Sequence, residues 1–350
     1  MSKSLPGAPW LRSAFCLVIA TFIALPAATG SVTFSTFVSQ SSLSSVVGNT
    51  ATIGYTYAGN KFVGSVYYGP NNNQLYSTDL TGGSVALFGS PIPGFSGEIA
   101  LGSSLGLGGF PSRDIYAGSQ AGSSIYHVSN NGSTQNLFVT LPGGNIRGIT
   151  FDSVGTFGGN MLVSTTTGQI YSVASSGSFT QIANLGQDSE GMAIATSKFG
   201  PFAGYLLVGS EGSGQINAIN PITHAVTLVT TVPSAEVLSS VPLNLGSGGP
   251  LEGFYAANYP VDIINAGASQ FNGLQGDLVV TGETTGQMTD LHWNGSTFVS
   301  TNIGSFPNQP EDGEFVTQAI IHPTPEPGTI LMVGTGLVGL AGAMRRKRTR

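Results

Sequence analysis

The apolar residues of this chain fall in short runs rich in Val, Ile, Tyr and Thr, broken by Gly, Asn and Ser, and the runs themselves recur. Val66-Tyr-Tyr-Gly is followed by Gln74-Leu-Tyr-Ser, and Asp114-Ile-Tyr-Ala-Gly by Ser124-Ile-Tyr-His-Val. The same pairing returns in Asn160-Met-Leu-Val-Ser with Gln169-Ile-Tyr-Ser-Val, in Tyr205-Leu-Leu-Val-Gly with Gln215-Ile-Asn-Ala-Ile, and in Asp277-Leu-Val-Val-Thr with Gln287-Met-Thr-Asp-Leu. A further strand-like piece precedes each pair: Ile53-Gly-Tyr-Thr-Tyr, Glu98-Ile-Ala-Leu, Gly148-Ile-Thr-Phe, Gly191-Met-Ala-Ile and Gly253-Phe-Tyr-Ala. A fourth follows it, from Val85-Ala-Leu-Phe to Phe298-Val-Ser-Thr. Runs of this length and composition, bounded by turn residues, predict strands. Gly82-Gly83, Asn131-Gly132 and Asn294-Gly295 stand where the outer hairpins should turn.

Four strands in a period of about 40–50 residues is the pattern of a β-propeller blade, so the fold class is all-β. A single four-stranded meander cannot bury both faces, and stacking blades around an axis buries them against neighbours. Five repeats are visible. Gly313-Glu-Phe-Val-Thr reads as one more innermost strand and Val32-Thr-Phe-Ser-Thr-Phe as an outer one, which gives five blades or a composite sixth shared by the two ends. Residues 234–276 break the period, and with Pro242, Pro250 and Pro260 they read as an insertion on one face. The pattern resembles the NHL and gluconolactonase-like propellers, in which Gly-hydrophobic pairs such as Gly148-Ile, Gly191-Met and Gly253-Phe open each blade, a likeness of blade architecture that carries no catalytic signature.

Both ends read as targeting segments. At the N-terminus, Lys3 and Arg12 flank an apolar stretch from Ala14 to Leu25, and Ala28-Thr29-Gly30 offers a cleavage site, so residues 1–30 read as a signal peptide. At the C-terminus, Pro325-Glu326-Pro327 precedes an uncharged run, 328–344, and a basic stop of Arg345, Arg346, Lys347 and Arg348 within 345–350. As a transmembrane helix that run would span roughly 25 Å, the short limit for a hydrocarbon core of about 30 Å. This order resembles the PEP-CTERM sorting signal, a segment also known as the ice-binding-protein C-terminal domain, a label that does not imply ice binding. The resemblance covers 323–350 and leaves 31–322 as the propeller domain. It implies an exported protein, transiently held in the inner membrane, then at the cell surface or extracellular. Its processing partners would be signal peptidase and an exosortase-type membrane protease, in bacteria that make extracellular polysaccharide.

Composition sharpens this picture. Of the 11 Lys+Arg, only Lys61, Arg113, Arg147 and Lys198 lie between the two targeting ends, against every acidic residue except Glu326. An acidic body with scattered bases argues against nucleic acid as a partner. Charged residues are 8% of the chain, so the surface must be built from uncharged polar residues. Cys16, the single cysteine, falls in the signal segment, which leaves the mature part without disulfide or thiol chemistry.

Candidate chemistry comes from the repeat. The position before each innermost strand holds Glu98, Arg147, Glu190, Glu252 and Asp312, and equivalent positions converge on a propeller's channel. Such oxygens would suit Ca²⁺ or Mg²⁺, and a bound metal would polarise a lactone or ester carbonyl. The plainer reading is an ion pair between Arg147 and its neighbours. Gly102-Ser103-Ser104-Leu105-Gly106 fits G-x-S-x-G but lacks the strand–turn–helix of a nucleophile elbow. His127, His224, His292 and His322 have no zinc-ligand spacing. Tyr67, Tyr68, Tyr76, Tyr116, Tyr126 and Tyr171 suggest a carbohydrate-stacking strip, though their repeat positions favour packing between blades. No catalytic set emerges. The expectation is a non-enzymatic scaffold or binding module, with a metal-dependent hydrolase or lactonase and a polysaccharide-binding module as alternatives.

Overall fold

The computed structural model describes residues 31–317. Six antiparallel four-stranded sheets make up the body. The first four blades follow the sequence repeat, with innermost strands Thr52–Tyr57, Ile99–Leu105, Ile146–Phe151 and Met192–Ile194. The expected hairpin glycines turn the outer strands: Gly82, Gly132 and Gly295 have φ of 79°, 73° and 96°, left-handed values that a side chain resists.

The fifth and sixth blades are interleaved, which corrects the expectation for 234–276. The innermost strand of blade five is Ala235–Ser240, and the chain returns to that sheet only at Leu278–Gly282. Between them the hairpin Gly253–Tyr259 and Asp262–Gly267 forms the middle of blade six. Gly253-Phe-Tyr-Ala is therefore a second strand of blade six, not the innermost strand of blade five, and much of the stretch is blade framework. Gln309–Val316 supplies the innermost strand of blade six and Ser35–Val38 its outermost, so the two ends of the body meet in a composite sixth sheet. Val32 N–H adds a 2.6 Å bond to the Ile303 carbonyl of blade five.

One hydrophobic cluster sits in each of the six gaps between blades. Phe254, Met288 and Phe315 join blades five and six, and Phe62, Tyr76 and Tyr255 join six and one. Innermost strands approach so closely that a Cβ on Gly148 would lie 2.3 Å from the Glu190 carbonyl oxygen, and one on Gly191 2.0 Å from that of Glu236. This is why a glycine opens these repeats. The sequence reading missed the helix Gln40–Val47, capped by the Ser39 hydroxyl on Ser42 N–H and ended by Gly48 at φ 77°. Its Leu43 and Val47 pack into the gap between blades six and one. Among the described residues, no helix is long and apolar enough to cross a membrane. The signal segment, the 322/323 boundary, Pro325-Glu326-Pro327 and the basic stop lie outside the described residues.

Candidate functional site at the channel mouth

The innermost strands enclose a central cavity of about 270 Å³. Every innermost strand runs in the same sense along the axis, so its first residues gather at one end, the mouth. Glu98, Arg147, Glu190, Glu236 and Glu311 line that end, while Leu105, Phe151 and Phe315 line the other.

Arg147 organises the mouth. Its guanidinium pairs with Glu98 of blade two and, at 2.5 Å, with Glu190 of blade four. Asp188 lies 3.4 Å from its Nε and Glu211 3.5 Å from its Nη2. Burial works against this charge, but Glu190, Glu236 and Asp188 outweigh it, so the guanidinium is held more firmly protonated than usual. On the far side of the ring, Gln309 donates to Glu283 and, at 2.7 Å, to Glu311.

The carboxyls outnumber this one cation, and burial raises their proton affinity. Glu190 is pushed up to about 7 by burial, with Arg147 opposing. Glu311 rises to about 9 through burial and then the charges of Glu190 and Glu283. Glu283 rises to about 7, first through the hydrogen bond it shares with Glu211 and then through burial. Glu236, 1% exposed, is raised well above the carboxylate range by burial and by Glu190 and Glu311. Burial thus favours the protonated form of much of this carboxyl cluster near neutral pH.

Of the residues expected at the channel, the structure brings Glu98, Arg147 and Glu190 together. Asp312 stands one residue beyond Glu311, which takes the mouth position, and its carboxylate accepts from Tyr55 N–H at 2.9 Å across the gap to blade one. Glu252 is displaced from the channel: it precedes the second strand of blade six and accepts from the Gly246 and Gly248 amides at 2.9 and 3.0 Å. Glu236 holds the position assigned to it. Sequence reasoning also missed Glu211 and Glu283, whose signal was present: each lies four residues before the Gln that opens the third strand of its blade, Gln215 or Gln287.

Could the mouth hold a divalent metal? Carboxylate oxygens of Glu190, Glu211 and Glu236 lie within 4.8 Å of one another, a spacing that a metal ion could bridge. Arg147, however, already bonds Glu190 and approaches Glu211. The set does not fit a divalent ion while that guanidinium remains in place.

The other motifs resolve into structure. Ser104 lies within Ile99–Leu105, its hydroxyl turned to the backbone carbonyls of Pro111 and Asp114. His127 bonds Asp114 at 2.7 Å and His292 bonds Asp277 at 2.8 Å, each pair within one blade. Tyr76, Tyr116 and Tyr171 are buried in the gaps between blades, and Tyr126 packs edge-on against Phe95. Tyr67 and Tyr68 are exposed instead.

Residues 323–347 match the PEP-CTERM protein-sorting motif. No curated protein matches the chain. Among solved structures, a chain of the nidogen/laminin complex aligns over 77% of this chain and 86% of its own, at 12% identity and a TM-score of 0.53. A putative gluconolactonase aligns over 80% and 84% at 11% identity, TM-score 0.52. A protein of unknown function from Bacteroides thetaiotaomicron aligns over 81% and 70% at 10% identity, TM-score 0.52. At such identities the likeness shows the fold alone. The chain therefore carries a PEP-CTERM sorting motif at 323–347, attached to a six-bladed body similar in fold to the gluconolactonase-like propellers.

Proposed function

We propose that this chain is an exported, exosortase-processed binding module that presents its acidic channel mouth away from the membrane in which its tail is held. Chain direction carries the reading. The last innermost strand starts at the mouth with Gln309 and ends with Val316 at the opposite face. The uncharged run expected to enter the membrane begins at 328, so the chain after Thr317 reaches roughly 40 Å at most when fully extended. A tail held in the membrane keeps the far face toward it and leaves the mouth open to extracellular ligands, including the polysaccharide expected as a partner. The mouth supports binding over catalysis because its one guanidinium is engaged with the carboxylates and Ser104 is tied to backbone.

The sorting half is tested in the native host. A Glu326→Ala chain should stay unprocessed and membrane-held while the wild type is cleaved; identical processing and location would sink it. Glu190, Glu211 and Glu236 favour a second reading, a metal-dependent hydrolase. Calorimetric titration with Ca²⁺ and Mg²⁺ should give no binding. Tight binding lost in Glu190→Gln, together with lactone hydrolysis, would replace the binding-module reading.

A further inference from the structure

We propose that the far face of the propeller docks on the phospholipid surface in which the tail is held, setting Val154, Ile222 and Leu243 among the headgroups beside Lys61 and Lys198. This inference rests on the tail-held reading above and adds a second contact between body and membrane. The loops that leave the innermost strands lie on the far face, as do the turns between third and outermost strands. Val154 follows the innermost strand of blade three and is 53% exposed, and Leu243 follows that of blade five and is 46% exposed. Ile222 tips the turn between Gln215–Ile219 and Val226–Thr231 of blade four and is 88% exposed.

These residues belong to consecutive blades, and hydrogen bonds tie the far-face loops of those blades into one surface. The Thr156 hydroxyl donates to the Gly204 carbonyl at 2.7 Å, and the Thr196 hydroxyl to the Gly276 carbonyl at 2.7 Å. Gln275 continues the line with a 3.3 Å bond to the Leu245 carbonyl. Among the described residues, the loops around the mouth expose no Val, Leu or Ile to this degree.

Charge divides the molecule the same way. Of the Lys and Arg among the described residues, only Arg147 stands at the mouth. Lys61 and Lys198 lie in the far-face loops of blades one and four, and Arg113 opens the second strand of blade two. Most acids of this face are turned inward. Asp152 accepts from the Phe157 and Gly159 amides, Glu252 from those of Gly246 and Gly248, and Asp114 and Asp277 pair with His127 and His292. Asp79, in the turn of blade one, is the exception.

The exit of the tail says what covers this face. The Ser239 hydroxyl of blade five donates to the Gly313 carbonyl of blade six at 2.7 Å, so Leu243 adjoins the strand that ends at Val316. The run expected in the membrane starts at 328, and so short a tether holds the face near lipid at a high effective concentration, where weak contacts suffice. Aliphatic side chains gain by entering the headgroup boundary, and Lys meets phosphate while its stem stays in apolar surroundings. A second copy docked far face to far face would set like bases against each other and trap both tails between the bodies.

The test uses the full chain with Cys16→Ser, which leaves it without cysteine, reconstituted in nanodiscs of phosphatidylcholine with and without phosphatidylglycerol. A spin label is placed through Ile222→Cys, Leu243→Cys or, at the mouth, Tyr68→Cys, all at exposed positions. Collision with a water-borne nickel complex should fall about fivefold for the first two as they enter the interface, and collision with lipid-dissolved oxygen should rise. The Tyr68 label should stay in water. Phosphatidylglycerol should strengthen the contrast, and Ile222→Asp with Lys198→Glu should return the Leu243 label to water without changing the melting temperature. If all three labels remain in water, the docking falls and the mouth-outward reading stands. A Tyr68 label in lipid, with the other two in water, would sink both. Protection from nickel without a gain in oxygen collisions would mean that protein covers the loops and would overturn the lipid assignment. No response to phosphatidylglycerol would overturn the part given to Lys61 and Lys198.

Discussion

Two residues show how this body balances closeness against charge. Gly191 exists because the Glu236 carbonyl lies where a Cβ would be. Gly191→Ala must push two innermost strands apart, and an overpacked core of this kind typically loses about 1–3 kcal/mol. Chemical denaturation should show that loss, whereas Gly212→Ala, with open space around it, should be near neutral. Arg147 is the opposite case, a buried cation, 6% exposed, that holds several blades' acids together. Arg147→Met leaves those acids without a partner and should destabilise by about 3–5 kcal/mol at pH 8. The loss should shrink at pH 5, since acids that carry protons do not need the guanidinium. Equal losses at the two pH values would mean that Arg147 acts through packing alone.

At the level of strands, repeat and turn chemistry were readable because each blade solves the same local problem. Val-, Ile- and Tyr-rich runs with Gly turns between them have few other ways to bury their faces. The fifth and sixth blades were misread for an equally physical reason. Gly253-Phe-Tyr-Ala has the pattern of an innermost strand, and a pattern does not say which sheet a strand joins. That choice belongs to ring closure: Phe254 packs with Met288 and Phe315 only if the hairpin crosses to blade six. The outermost strand Ser35–Val38 completes the same sheet, with Val38 buried at its end and Val32, just before it, buried against blade five. Deleting 31–38 removes two buried valines at about 1.5–3 kcal/mol each and should lower the melting temperature by roughly 10 °C, followed by circular dichroism. No change would mean that the ring closes without its N-terminal strand.

For the whole molecule, the distribution of protons decides how stability responds to pH. Glu190, Glu283, Asp290, Asp312 and Glu314 are raised to about 7 and Glu311 to about 9. Burial is the first cause in each case except Glu283, where the shared bond with Glu211 leads. An acid with a raised value binds its proton more tightly when folded, so its contribution is complete below the ordinary carboxylate range and is lost as pH rises through the folded value. Asp79, lowered to about 2 by its bonds to Thr81, works the other way and loses its contribution only in strong acid. The melting temperature should therefore fall steadily from pH 5 to pH 9. A maximum at pH 8 would contradict the buried, protonated mouth.

The sequence by itself determined the sorting motif, the four-stranded period and the acidic balance of the body, because each is written in contiguous or evenly spaced residues. It also placed Glu98, Arg147 and Glu190 together, since equivalent positions of successive repeats must converge on an axis. Only the tertiary structure decided that Glu236 and Glu311 stand at the mouth in place of Glu252 and Asp312. Only it set exposed tyrosines beside the acids and ended the last innermost strand on the opposite face. These relations join residues from different blades, and their positions along the chain are fixed only once the ring has closed.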